Sequence, residues 1–127
     1  MKQLGFEITD SNLFNENVNK LKKKLIDHGV LIFKKQKLNN KKLVKFANLF
    51  GKPLVHNFSD KINKYPEIMT ISKEKKDKKM FGGVWHTDST YLKKPPRYTI
   101  LYPKILPGKK LGGTKFSCLI NSYNFLD

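Results

Sequence analysis

Cysteine is nearly absent: the 127 residues hold one, Cys118. No internal disulfide can form, and without a CxxC pair the cysteine-rich zinc folds are excluded. A reducing, cytoplasmic setting is the expectation. Long apolar runs are missing too, the longest aliphatic and aromatic stretch being Val30 to Phe33. Such a run is far too short to span a bilayer, and Met1 to Asp10 has no apolar h-region. Neither a signal peptide nor a membrane anchor is expected. Arginine is as scarce as cysteine, with Arg97 alone among 26 basic side chains, and acidic residues number only 10.

The resulting net charge of +16 would draw phosphates. Readers of bases and phosphates, however, favour the planar arginine fork, and here the charge is almost all lysine. Lysine alongside abundant asparagine is what an AT-rich coding sequence yields, so the charge reads as solvated faces. The densest cluster, Lys73 to Lys79, is broken by Glu74 and Asp77. Nucleic acid is therefore not the expected partner. It stays as a rival reading, since the tyrosines and phenylalanines could stack bases.

The length allows one domain, residues 1–127, with a core that needs no metal staple. Leu4 to Ile8 alternate as a half-buried strand does. Val18, Leu21, Leu25 and Ile26 form one stripe of a helix whose other faces carry Lys20 and Lys22 to Lys24, and Gly29 stands where a closing glycine belongs. Val30 to Phe33 reads as a buried strand. Asn39 and Asn40 offer an N-cap to a second helix with Leu43, Phe46, Ala47 and Phe50 on its apolar face, ended by Gly51 and Pro53. Ile68 to Ile71 is the next strand candidate, followed by a polar, lysine-rich loop from Ser72 to Gly83.

Beyond that loop the predicted elements are short β-like runs: Trp85 to Tyr91, Tyr98 to Tyr102 and Thr114 to Cys118. Pro95-Pro96, Pro107-Gly108 and Gly112-Gly113 separate them. Helices first and strands later predict an α+β domain, early helices packed on a sheet or sandwich of later strands. Asn121 to Asp127 reads as a helix capped by Asn121, with Tyr123 and Leu126 as its first apolar positions. A chain ending so soon inside a helix predicts a truncated product.

The chemical signal is densest at Trp85-His86-Thr87-Asp88. On an extended strand, residues i and i+2 share a face, so His86 and Asp88 can meet one ion while Thr87 points away. A histidine with a carboxylate is two-thirds of the facial triad that leaves open positions on Fe(II). Alone, the same pair is equally a surface histidine hydrogen-bonded to an aspartate.

The residues after Asp88 narrow the choice: Ser89-Thr90-Tyr91, Lys93-Lys94-Pro95-Pro96-Arg97, Ile100-Leu101-Tyr102, then Leu106-Pro107 leading to Gly112-Gly113-Thr114. This order resembles the taurine dioxygenase (TauD/TfdA-like) family of Fe(II)- and 2-oxoglutarate-dependent oxygenases. Gly29 to Phe33, Lys41 to Phe50 and Phe50-Gly51-Lys52-Pro53 resemble the N-terminal half of the same family. The resemblance implies the N-terminal portion of a double-stranded β-helix, or jelly roll, truncated at its C-terminus, with helices packed on it.

Carried over by position, the resemblance makes His86 and Asp88 iron ligands. It matches Thr114 to the threonine that binds a carboxylate of 2-oxoglutarate, although the aspartate expected just before Thr114 is missing and the preceding loop is longer. His56 falls where such enzymes hold an anionic substrate group, its other reading being a half-buried loop histidine. Ser89 and Tyr91 fall at positions that line the substrate pocket, or pack within a strand. Trp85 reads as a core ring that excludes water.

No histidine follows His86, and Arg97 does not match the co-substrate arginine, so the distal ligand and that arginine are not in this chain. The implied activity is hydroxylation of a small organic substrate, with O2 consumed and succinate and CO2 released. Sulfonates, alkyl sulfates, aryloxyalkanoates and trimethylammonium acids are the candidate substrates. Against it stands a catalytically incomplete fragment that holds metal weakly. Exposed β edges would also favour a homo-oligomer.

Overall fold

A computed structural model describes residues 3–9, 12–56, 61–74, 76–78, 82–108 and 113–126. In chain order its elements are β1 (Phe6–Ile8), a single 3-10 turn (Leu13–Asn15), α1 (Val18–His28), β2 (Leu31–Phe33), α2 (Asn40–Asn48), β3 (Lys61–Ile62), β4 (Tyr65–Met69) and α3 (Leu119–Asn124). They fall into two compact units, one of Met1–Lys37 with Tyr102–Asp127 and the other of Leu38–Leu101. Among the described residues no helix is long and apolar enough to cross a membrane.

The first unit is built on a β-α-β segment. Because β1 and β2 run parallel, with Phe6 opposite Leu31 and Ile8 opposite Phe33, their connection must cross over, and α1 supplies it. Asn17 caps α1, its side-chain oxygen accepting from the backbone N–H of Asn19 and of Lys20 at 3.0 and 3.2 Å. Gly29 ends it at φ 69°, a left-handed conformation in which glycine alone avoids a Cβ penalty. The apolar stripe expected of this helix supplies Leu21, which is completely buried, and Ile8 and Leu13 are buried as well. Burying a leucine side chain contributes about 1.5–3 kcal/mol.

Two polar tethers complete this packing. The Gln36 side chain accepts from Leu13 N–H at 3.3 Å and donates to the Lys34 carbonyl at 2.8 Å. The Tyr102 hydroxyl donates to the Gln36 carbonyl at 3.4 Å. His28 leans on the Phe6 ring, 4.9 Å between centroids, with its Nδ1 2.9 Å from the Gln3 carbonyl.

In the second unit Asn39 caps α2 through Lys42 N–H at 2.9 Å, and α2 packs on β4. Buried Phe46 meets Phe50 edge-on at 5.3 Å, and Phe50 meets Tyr98 in the same way at 5.4 Å. β3 and β4 pair antiparallel with an irregularity at Lys61/Ile62. The strand anticipated at Ile68 to Ile71 thus begins earlier, at Tyr65, because the turn after Ile62 sets its register.

The α+β class holds, with two separate two-stranded sheets. The later strands do not form: among the described residues none of Trp85 to Tyr91, Tyr98 to Tyr102 and Thr114 to Cys118 is a strand. A strand satisfies its amides only through a neighbour, and prolines at 95, 96, 103 and 107 remove donors from any ladder there. Trp85 accordingly is no core residue, being 71% exposed with no sheet over it. The last helix also starts earlier than expected. α3 begins at Leu119, and the sulfur of Cys118, rather than Asn121, takes the capping position, 3.3 Å from Asn121 N–H. Gly112 and Asp127, which bound two of the expected segments, lie outside the described residues.

Candidate metal centre

His86 and Asp88 meet, though not by the route of an extended strand. Their segment is irregular up to Thr87 and turns at Asp88 to Tyr91, where Leu92 N–H bonds the Ser89 carbonyl at 3.1 Å. Ser89 sits in this turn at φ 54°, an uncommon conformation for a residue with a Cβ. The Thr87 and Thr90 hydroxyls are 3.0 Å apart across the same turn.

The imidazole of His86 folds back so that Nδ1 lies 2.7 Å from the Val84 carbonyl. A carbonyl only accepts, so Nδ1 carries a hydrogen. Nε2 is then the ring nitrogen that faces Asp88, 3.4 Å from Oδ1. The other carboxylate oxygen, Oδ2, accepts from the Thr99 hydroxyl at 2.7 Å. Both side chains are about half exposed, at 48% and 49%. A polar contact so open to solvent contributes little to stability.

Three observations fit this pair to a divalent cation. An imidazole nitrogen and a carboxylate oxygen, both common ligands of such ions, face each other. Ligands each about 2.1 Å from a shared ion lie about 3.0 Å apart at a right angle and about 3.4 Å apart at a tetrahedral one. Finally, the space beside the ring is kept clear by Gly82, where a Cβ would come within 3.2 Å of His86 Cε1 and 3.7 Å of Nε2. Gly82 also has φ +66°, so both its backbone and its neighbour favour glycine. An imidazole with a carboxylate suits borderline cations such as Fe(II), Mn(II) or Zn(II). Among the described residues no third His, Cys, Asp or Glu joins them.

The other residues singled out from sequence are not drawn into this pair by any described contact. His56 is half-buried in the segment after α2, and Ser89 is half-buried within the turn. Tyr91 is 72% exposed, and Thr114 is exposed in the other unit. Thr99, Val84 and Gly82 were not legible as site residues. The contacts that recruit them depend on how the loop folds.

The family described as taurine catabolism dioxygenase TauD, TfdA family has a model that matches residues 1–127. The chain belongs to this family. The family itself is one of Fe(II)- and 2-oxoglutarate-using dioxygenases. An alkylsulfatase of Acinetobacter baylyi is 30% identical over 110 residues, covering 83% of this chain and 34% of that protein. The chain thus spans about a third of the length of this curated relative. No solved structure matches it significantly.

Proposed function

We propose that His86 Nε2 and Asp88 Oδ1 hold Fe(II) in a 2-oxoglutarate-dependent dioxygenase of small anionic organic substrates, alkyl sulfates first among them. The observation that carries this reading is His86 Nε2 facing Asp88 Oδ1 at 3.4 Å, with Gly82 leaving room beside the ring. When bound, the iron supplies oxidation of an unactivated C–H bond at the expense of 2-oxoglutarate and O2. The chain's own part is to bind and to orient. The Val84 carbonyl holds the His86 ring with Nε2 outward, and Thr114 is assigned to a carboxylate of 2-oxoglutarate. His56, Ser89 and Tyr91 are assigned to the substrate, His56 to its anionic group. The fold that goes with this reading is the N-terminal part of a jelly-roll oxygenase.

The alkylsulfatase relative supports the sulfate class, and the chemistry reconciles its name with a dioxygenase family. Hydroxylating the carbon that bears a sulfate ester gives a hemiacetal ester, which collapses to an aldehyde and releases inorganic sulfate. Incubation with Fe(II), 2-oxoglutarate, O2 and a medium-chain alkyl sulfate should then yield succinate, aldehyde and sulfate in equal amounts. Succinate without sulfate would move the substrate to another class. No succinate at all would favour a second reading, supported by the lack of a third ligand among the described residues: that this chain holds two ligands of a centre it does not complete.

A further inference from the structure

We infer that Thr99 is the positioning residue of the metal site, its hydroxyl fixing Asp88 so that a single carboxylate oxygen faces His86. The inference rests on the proposed metal site and adds a residue to it. Asp88 lies on an exposed turn with no strand to hold it, and an aspartate so placed can rotate about its side chain. The Thr99 hydroxyl, 2.7 Å from Oδ2, removes that freedom by a short charge-assisted hydrogen bond. With Oδ2 engaged, Oδ1 is the oxygen left 3.4 Å from His86 Nε2. The carboxylate is thereby prepared to bind an ion through one oxygen rather than two.

Thr99 has a reason to stay where it is. Its neighbour Tyr98 packs edge-on against Phe50 at 5.4 Å, and Phe50 packs against buried Phe46 of α2 at 5.3 Å. Pro95 and Pro96, just upstream, each restrict the backbone of the returning chain. The order α2, Phe50, Tyr98, Thr99, Asp88 therefore ties an exposed ligand to the apolar core of its unit. His86 is held separately, through its Nδ1 to the Val84 carbonyl. Each ligand thus has its own outer partner, an arrangement that sets ligand orientation and raises affinity in metal sites.

The test uses the full 127-residue chain and Mn(II) alone, reading free Mn(II) by its electron paramagnetic resonance signal during titration, with no turnover required. Thr99→Val keeps the shape and removes the hydroxyl, whereas Thr99→Ser keeps the hydroxyl. Expected are a roughly 10- to 100-fold weaker Mn(II) affinity for Thr99→Val, near-parental affinity for Thr99→Ser, and loss of binding in His86→Ala and Asp88→Ala. Binding that needs His86 and Asp88 but is unchanged in Thr99→Val would overturn the role of Thr99 and leave the metal site intact. Equal weakening by Val and Ser would overturn it as well, since the hydroxyl would not be the agent. No Mn(II) binding by the parent chain, or binding indifferent to His86→Ala, would defeat the metal site and this inference with it.

Discussion

The first fifty residues and residues 84–126 are both rich in apolar side chains, and among the described residues only the first group has any that are fully buried. The buried apolar residues Ile8, Leu13, Leu21 and Phe46 all precede Gly51. In the later stretch Val84, Trp85, Ile105, Leu106 and Phe125 are each at least 70% exposed. The difference is one of self-sufficiency. A capped helix satisfies its amides within itself and needs only one apolar face covered, whereas a β-prone segment needs a neighbouring strand before it is a strand at all. The candidate metal site lies in the second kind of region. Hydrogen bonds to the Val84 backbone carbonyl and from the Thr99 hydroxyl hold it where a sheet ladder would otherwise do so.

That contrast can be broken most forcefully at Leu21. Leu21→Ala leaves a cavity in the one completely buried site among the described residues and should cost about 2–5 kcal/mol in denaturant melts followed by circular dichroism. A loss below about 1 kcal/mol would mean that the early region is no better packed than the late one. Next comes Gly82→Ala, where a φ of +66° and the 3.2 Å approach to the His86 ring both oppose a Cβ. The backbone term alone is about 1–2 kcal/mol, and Mn(II) affinity should fall alongside it. Stability falling with metal affinity unchanged would separate the glycine from the site.

A smaller effect is expected from Asn17→Ala, which removes the acceptor for two N–H groups at the start of α1 and should cost about 1 kcal/mol. The smallest concerns residues that look important in sequence. Trp85→Ala and His86→Ala should each change stability by less than about 0.5 kcal/mol, since the tryptophan is largely and the histidine about half exposed. Truncating the tryptophan would then matter less than truncating Leu21. A destabilisation by Trp85→Ala near that of Leu21→Ala would reverse the comparison.

Local signals carried far in the early region. Val18, Leu21 and Leu25 of the expected stripe, the asparagine preceding α2 and the glycine after α1 are where the sequence placed them, whereas Ile26, expected on the same stripe, is 74% exposed. Each depends on residues within a turn or two of one another. The cap of α1 by Asn17, the 3-10 turn and the β3–β4 hairpin were not legible in the same way. The hairpin gave no signal because its first strand is two residues long and carries no alternation. The His86–Asp88 pair was legible as a pair but on the wrong backbone. A spacing of two brings side chains together on a strand, and here a folded-back imidazole on a turn does the same.

Sequence alone determined the His86–Asp88 pairing, the first two helices with the N-cap of α2 and the glycine that ends α1, and through the order of its motifs the TauD/TfdA family. Tertiary structure alone decided that Thr99 bonds Asp88, that Gly82 keeps a side of His86 clear, and that Trp85 faces solvent. Contacts such as these join residues several positions apart through a loop whose path no local periodicity encodes. Helices announce themselves because their hydrogen bonds are local, and loops and strands do not because theirs are with whatever the fold brings near.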